Sequence, residues 1–265
     1  MENNPFWIPV RAGVDKAREE LKDKNCTIDW IVPGRDLTAD VVGPAIESAV
    51  VQRYDAIALL AGDSGVAPFI NKAYQAGVVV ATFNSDVDRE NKRIFCVGAD
   101  SVYQGKQAAK AMGEALVGKG KVAVITGYFA VESHEGRRKG FVDELARLYP
   151  DIEIVGEVEN RDAADVSYTQ AKDFMNAYPD LVGMYVTAGG PFGAGNAIKD
   201  ENKQSQIKLI CYDFIEENMK LVQDGVVYAV IGQQPEAQGH DTIIRLYNYM
   251  VGGVVPPPPQ ATGGN

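Results

Sequence analysis

Lys121-Val122-Ala123-Val124-Ile125-Thr126 is followed by Ser133–Leu148, SHEGRRKGFVDELARL, and then by Ile152-Glu153-Ile154-Val155-Gly156-Glu157-Val158. The first run is apolar beyond Lys121 and the last is apolar but for Glu153 and Glu157, both have the length of strands, and the middle one has an amphipathic helical pattern. Strands without a polar face, separated by amphipathic helices, indicate a parallel sheet covered on both sides. Toward the C-terminus the rhythm continues, with strands predicted at Leu181–Thr187, Ile207–Tyr212 and Val226–Gly232. Helices are predicted near Asp165–Tyr178, Gly193–Asp200, Ile215–Gln223 and Pro235–Tyr249. Toward the N-terminus it is present as well. Trp7, Val10, Val14, Ala17 and Leu21 mark a helix over residues 5–22, with further helices at Thr38–Gln52, Ala67–Ala76 and Ser101–Val117. Strands are predicted there at Thr27–Val32, Asp55–Ala61, Val78–Phe83 and Ile94–Val97. One sheet of so many strands would be unusually wide, so two doubly wound lobes are the better solution. The tail from Gly252 through Pro256–Pro259 to Asn265 has no period and reads as an extended strap.

A chain of 265 residues fits two such lobes, at about 100–200 residues per domain. Its 26 basic and 36 acidic side chains give a formal charge of −10, which argues against a duplex nucleic-acid binder and against an anionic membrane surface. Apolar residues at 46% with 23% charged are ordinary for a soluble globular protein. Cys26, Cys96 and Cys211 are odd in number and lack CxxC spacing, so they read as small buried hydrophobes and not as a disulfide framework. With His134 and His240 the only imidazoles, no zinc pattern arises. No apolar run approaches the ~18 residues that span a bilayer. Met1-Glu2-Asn3-Asn4-Pro5 has no signal-peptide character, so the chain reads as cytosolic or as a mature or trimmed form.

In doubly wound sheets ligands bind beyond the carboxyl ends of the strands. That rule selects Asn84–Asp86, Gly127–Glu135, Asn160–Asp162, Ala188–Phe192, Asp213 and Gln233, a polar set with few catalytic-grade groups. Gly62-Asp63-Ser64-Gly65 looks like a protease nucleophile segment, but in a strand-to-helix loop its Asp and Ser are turn and cap residues. Ala188–Gly195, AGGPFGAG, follows a strand and opens a helix, yet fails the dinucleotide spacing and is expected to be a tight turn facing a cleft. Ser133-His134-Glu135 cannot form a relay among adjacent helical positions, and His134 is expected to be exposed in a first turn. Asn4-Pro5-Phe6-Trp7 supplies either core anchors or an aromatic platform for sugar faces. Arg137-Arg138-Lys139-Gly140-Phe141 is either a surface ion-pair patch or a guanidinium fork aimed into a cleft.

These features together resemble the ribose-type periplasmic binding proteins, the solute receptors of sugar ABC transporters. Asn3-Asn4-Pro5-Phe6-Trp7 is similar to that family's NNPFF opening, and Val79–Asp86, VVATFNSD, to its ligand-binding strand end. Val97–Gly105, VGADSVYQG, resembles the first crossing between lobes. Arg137-x-x-Gly140-Phe141, Cys211-Tyr212-Asp213 and Ile231–Pro235, IGQQP, follow in family order, so the likeness covers nearly the whole chain. It implies an α/β clamshell of two doubly wound parallel-sheet lobes with its first strand missing, the lobes being 1–100 with 235–265, and 101–234.

The resemblance also implies the site. Phe6 and Trp7 would sandwich the ligand with Tyr212 near another face, and Asn4, Asn84, Ser85, Arg137, Asp162, Asp213 and Gln233 would complete it. Asn84 and Ser85 stand where ribose receptors carry Asp and Arg, and Asp162 where the family often has an aromatic, so another pentose, hexose or polyol is as plausible as ribose. The implied function is capture of a small sugar or polyol in the cleft between lobes for an ABC permease. The chain would be a periplasmic or otherwise extracytoplasmic monomer with no catalytic residue, cofactor or metal, no nucleic-acid partner and no membrane insertion. The alternatives are the effector core of a LacI-type regulator and a sensory receptor input domain. The C-terminal strand after the proline run is expected to be cut short.

Overall fold

A computed structural model describes residues 4–34, 37–256 and 260–261. In chain order the first elements are α1 (Trp7–Leu21), α2 (Ala39–Val51), β1 (Ala56–Leu59), α3 (Ala67–Gln75), β2 (Val79–Phe83) and β3 (Cys96–Gly98). Next come α4 (Ser101–Ala115), β4 (Lys119–Thr126), α5 (Glu132–Leu148), β5 (Asp151–Glu159), α6 (Ala164–Ala177) and β6 (Leu181–Val186). The last are α7 (Pro191–Asp200), β7 (Lys208–Tyr212), α8 (Glu216–Gln223), β8 (Val227–Ile231), α9 (Pro235–Gly252) and β9 (Gln260–Ala261). The chain divides into two compact units. Unit 1 gathers the described residues up to Ala99, Ala130–Glu132 and those from Gln234 onward, and unit 2 holds Asp100–Phe129 and Ser133–Gln233.

Unit 2 carries a parallel sheet in the order β5-β4-β6-β7-β8. Its strands alternate which face each side chain covers, and both faces are buried. Val122, Val124, Tyr185, Ile210 and Tyr212 pack under α4 and α5 with Met112, Phe141 and Leu145. Ala123, Ile125, Met184, Leu209 and Cys211 pack on the opposite face with Ala171, Phe174, Ile198 and Leu221. Each fully buried Leu, Ile or Phe in these layers contributes roughly 1.5–3 kcal/mol over its exposed state. That two-sided demand explains why β4 and β6 have no polar side in sequence.

Unit 1 has a parallel sheet in the order β1-β2-β3-β9. Leu59, Val80 and Val78 pack with Ile46 and Ile70 from α2 and α3, and Ala81, Phe95 and Val97 pack with Leu246 of α9. The backbones of α1 and α9 meet at Gly13 and Gly239, where a Cβ would stand about 2 Å from a facing carbonyl oxygen. The other long edge of β1 has no strand partner among the described residues. A groove of about 1050 Å³ runs along it, lined by Trp7, Val14, Ile28, Trp30, Ala58 and Leu246 among others.

Three expectations need correction. Thr27–Val32 is not a strand, because a strand needs a neighbour to pair its backbone and the segment pairs with none among the described residues. The segment is held by side chains instead. Arg18 Nε and Nη2 donate to the Ile28 carbonyl at 3.1 and 3.0 Å, and the Tyr54 hydroxyl donates to Asp29. The tail is not wholly without secondary structure, since Gly252 ends α9 and Gln260–Ala261 adds β9 to β3. Pro257–Pro259 and residues 262–265 lie outside the described residues, as does Asn3 of the N-terminal motif. Of the three cysteines, all free, only Cys211 is buried, whereas Cys26 and Cys96 are partly exposed. The Asp63-containing loop is a cap as expected, its carboxylate accepting from the backbone N–H of Gly65 at 2.7 Å and of Ala39 at 3.0 Å.

Candidate ligand-binding site

In unit 2, β5 and β6 flank β4 on opposite sides, so the topology switches between β4 and β6. Their last residues meet there, Thr126 and Thr187 sharing a hydroxyl hydrogen bond of 2.8 Å. Arg137, in the second turn of α5, reaches this point and is only 3% exposed. Its Nε donates to Gln104 Oε1 at 3.1 Å, its Nη1 to the Thr187 carbonyl at 2.9 Å and its Nη2 to Gln233 Oε1 at 2.6 Å. The guanidinium lies 4.1 Å above the Tyr212 ring. Tyr212 is itself fully buried, its hydroxyl 2.8 Å from that of Tyr185, and burial raises its pKa to about 12. The two residues after Arg137 behave differently. Arg138 pairs with Glu135 and Glu157 and Lys139 pairs with Glu135, so one basic run supplies both an ion-paired patch and a buried fork.

Gln233 continues the network, its Nε2 donating to Asp213 Oδ1 at 2.7 Å. Burial pushes the Asp213 carboxyl up to about 6, against the opposing pull of Arg137 and the Gln233 hydrogen bond. Asp162 accepts the Gly189 backbone N–H at 2.9 Å, and its own N–H donates to Asn160 Oδ1 at 2.9 Å. Asn160 Nδ2 donates to the Gly189 carbonyl at 2.8 Å, which pins the loop after β6. At that loop Gly190 sits at φ 93° and Pro191 opens α7, the tight turn expected of the glycine-rich segment.

His134 is the residue the sequence misplaces. It is 8% exposed, not solvated, because the loop after β4 folds back over the start of α5. Its Nδ1 accepts the Tyr128 backbone N–H at 3.1 Å and its ring stacks on that of Tyr128 at 6.3 Å. Accepting at Nδ1 places the neutral ring's proton on Nε2. Burial depresses its pKa to about 4.

Unit 1 presents a smaller set. Asn4 Oδ1 accepts the Phe6 backbone N–H at 3.0 Å. Phe6 is 4% exposed and meets Trp7 edge-on at 5.0 Å, and Trp7 in turn meets Phe83 at 6.4 Å and 89°. The aromatic pair thus stands against the end of β2, beside Asn84 and the buried Ser85. Asn84 Nδ2 donates to Gln238 Oε1 at 3.0 Å, and its backbone N–H donates to the Val97 carbonyl at 2.8 Å. Asp86 is engaged within the fold, accepting from Thr82 and from both Nε and Nη2 of Arg93.

Left-handed backbone marks the same places, besides Asn25, Arg53, Val117 and Asn202 where helices end. Asn84 (φ 63°), Arg161 (54°), Asp162 (57°), Asp213 (74°) and Gln234 (53°) are left-handed without being glycine, and each lies within three residues of a strand's carboxyl end. Such conformers cost on the order of 1–3 kcal/mol each and cluster where a side chain must be aimed. The structure therefore joins Arg137, Tyr212, Asp213 and Gln233 in one network, sets Asp162 at a neighbouring strand end, and groups Asn4, Phe6, Trp7, Asn84 and Ser85 in unit 1. Gln104 and Gln238 were missed because they project from helices, beyond the reach of the strand-end rule. The usable signal was a polar residue on a buried helical stripe, as with Gln104 beside Gly105, Ala108 and Met112. Among the described residues no three His, Cys, Asp or Glu side chains are grouped as metal ligands.

Comparisons with known proteins agree over the chain's length. The D-ribose/D-allose-binding protein of Pseudomonas aeruginosa is 24% identical over 256 residues, covering 92% of this chain and 78% of that protein. The ribose import binding protein of Bacillus subtilis is 25% identical over 244 residues, covering 89% and 75%. An ABC transporter solute-binding protein of Agrobacterium vitis, solved with D-fucose bound, superposes with a TM-score of 0.93 at 26% identity, covering 99% of this chain and 91% of that one. Residues 2–253 match the family described as the periplasmic binding protein domain, and the chain belongs to that family.

Proposed function

We propose that the chain is a non-catalytic receptor that captures a small neutral sugar or polyol through the strand-end residues described above. The observation that carries this reading is Arg137, held by three acceptors over Tyr212 and next to Asp213. Of five guanidinium N–H groups three are engaged, leaving two for the hydroxyls of a ligand. Asp213 and Gln233 supply acceptors and donors of the kind hydroxyls need. Trp7 supplies an apolar face for sugar C–H groups, with Phe6 behind it. Asn4, Asn84, Ser85 and Asp162 complete the polar lining. The relatives bind ribose, allose and fucose by name, which supports a monosaccharide-sized ligand. The family and its import-protein relatives support an ABC permease as the partner and a place outside the cytoplasm, and the receptor is proposed to act as a monomer.

Calorimetry with D-ribose, D-allose, D-xylose, D-arabinose, D-fucose and simple polyols tests the reading. Wild type is expected to bind at least one, and Arg137→Ala to weaken that binding by about tenfold or more, since a charged hydrogen-bond partner contributes about 1.5–3 kcal/mol. Absence of any carbohydrate binding, or an Arg137→Ala variant that binds like wild type, overturns it.

A further inference from the structure

Gln104 lies in the first turn of α4, a helix otherwise buried through Ala108, Ala109 and Met112, and it is 1% exposed. A buried amide on an apolar stripe costs free energy unless both of its ends are satisfied. Both are. Oε1 accepts Arg137 Nε at 3.1 Å, and Nε2 donates to the Gly232 carbonyl at 3.1 Å. Only one orientation of the amide works. Reversed, it would set its NH₂ against the Arg137 N–H and its oxygen against a carbonyl oxygen. No other residue of this length offers an acceptor and a donor together, Glu giving only the first and Lys only the second.

The helices are shaped to allow this contact. A Cβ at Gly105 would lie 2.1 Å from the Arg137 carbonyl oxygen, and one at Gly140 would lie 2.3 Å from the Val102 carbonyl oxygen. The backbones of α4 and α5 touch at these two glycines, one position from Gln104 and three from Arg137. The guanidinium is then fixed by acceptors on three separate elements, α4, the end of β6 and the segment after β8. Gly232 immediately precedes Gln233, the last residue of unit 2 before the chain passes to unit 1.

We propose that Gln104 is a positioning residue for ligand binding: one amide sets the angle of the Arg137 fork and ties it to the departing chain at Gly232. The proposal rests on Arg137 being a ligand-binding group, as argued above. It assigns to a helix residue outside the strand ends control over the direction of the two N–H groups that Arg137 has left.

The test uses the full chain. Gln104→Met keeps length and apolar bulk but removes both hydrogen bonds, and Gln104→Glu keeps the acceptor for Arg137 while losing the donor to Gly232. With the tightest ligand among D-ribose, D-allose, D-xylose, D-arabinose and D-fucose, Gln104→Met is expected to weaken binding about tenfold or more, and Gln104→Glu less than Gln104→Met. In an Arg137→Lys background, which has no Nε–H fork to hold, Gln104→Met should add little. A Gln104→Met variant that binds within about twofold of wild type overturns the proposal, as does a full additional loss in the Arg137→Lys background. A second measurement needs no sugar. Hydrogen exchange of the Arg137 Nε–H, followed by NMR, should be slow in wild type and fast in Gln104→Met. Fast exchange in both also overturns it. If no sugar binds and the Nε–H is protected only in wild type, the receptor reading fails while the hold of Gln104 on Arg137 stands.

Discussion

His134, which is buried, and Asp213, which is half-buried, lie in the same unit with pKa values displaced in opposite directions, to about 4 and about 6. An imidazole whose folded pKa lies below its unfolded value binds fewer protons when folded, so its contribution to stability rises with pH between about 4 and 6.5 and is lost as pH falls. A carboxyl whose folded pKa lies above its unfolded value binds more, so its contribution falls as pH rises from about 4 to 6. The two slopes oppose each other over a shared window. Relative to wild type, His134→Gln is therefore expected to lose stability as pH is raised from 4 to 6, and Asp213→Asn to gain it. Thermal denaturation at several pH values checks both signs. Asp213→Asn should also weaken sugar binding, because the charged acceptor is worth more to a hydroxyl than the amide oxygen. Neither displacement was legible in the sequence. Asp213 showed itself as a strand-end carboxylate, but what buries it comes from distant elements. His134 looked solvated because helix periodicity cannot register a loop folding over the first turn.

At the scale of elements, legibility follows the balance between local pattern and long-range pairing. β4, β6 and β7 are apolar on both faces, and that alone marks them as central strands of a covered parallel sheet. Thr27–Val32 is rich in strand-forming residues too, but composition favours extended backbone without supplying the partner that would make it a strand. The α4–α5 crossing was invisible for a related reason, since a glycine's role in close approach depends on what it faces. Gly105→Ala should force the helices apart and cost about 1–3 kcal/mol, measured by urea denaturation, and should also weaken ligand binding by moving Arg137. β1 has one paired edge and one bordering the groove. Backbone amides of Ala56–Leu59 are expected to exchange faster than those of Leu181–Val186, which are paired on both sides. Equal protection by hydrogen-exchange mass spectrometry would show that the edge is covered in solution.

For the whole molecule, the formal charge of −10 bears on partners more than on fold. If the ligand is a neutral sugar held by directed hydrogen bonds, its Kd should change less than about twofold between low salt and ~1 M sodium chloride. A strong salt dependence in calorimetry would point to a charged ligand. The two-unit arrangement was readable from the strand count, and the family from motifs spread along the chain, whereas the linked amides around Arg137 became visible only with the fold. The groove beside β1 adds a colloidal consequence. A strand edge with no partner among the described residues, flanked by Trp7, Ile28 and Leu246, is a template on which a second copy could pair, and the like charge of −10 on each copy opposes that approach. High salt screens that repulsion, so the condition expected to leave sugar affinity unchanged is also the one under which the protein is hardest to keep dispersed.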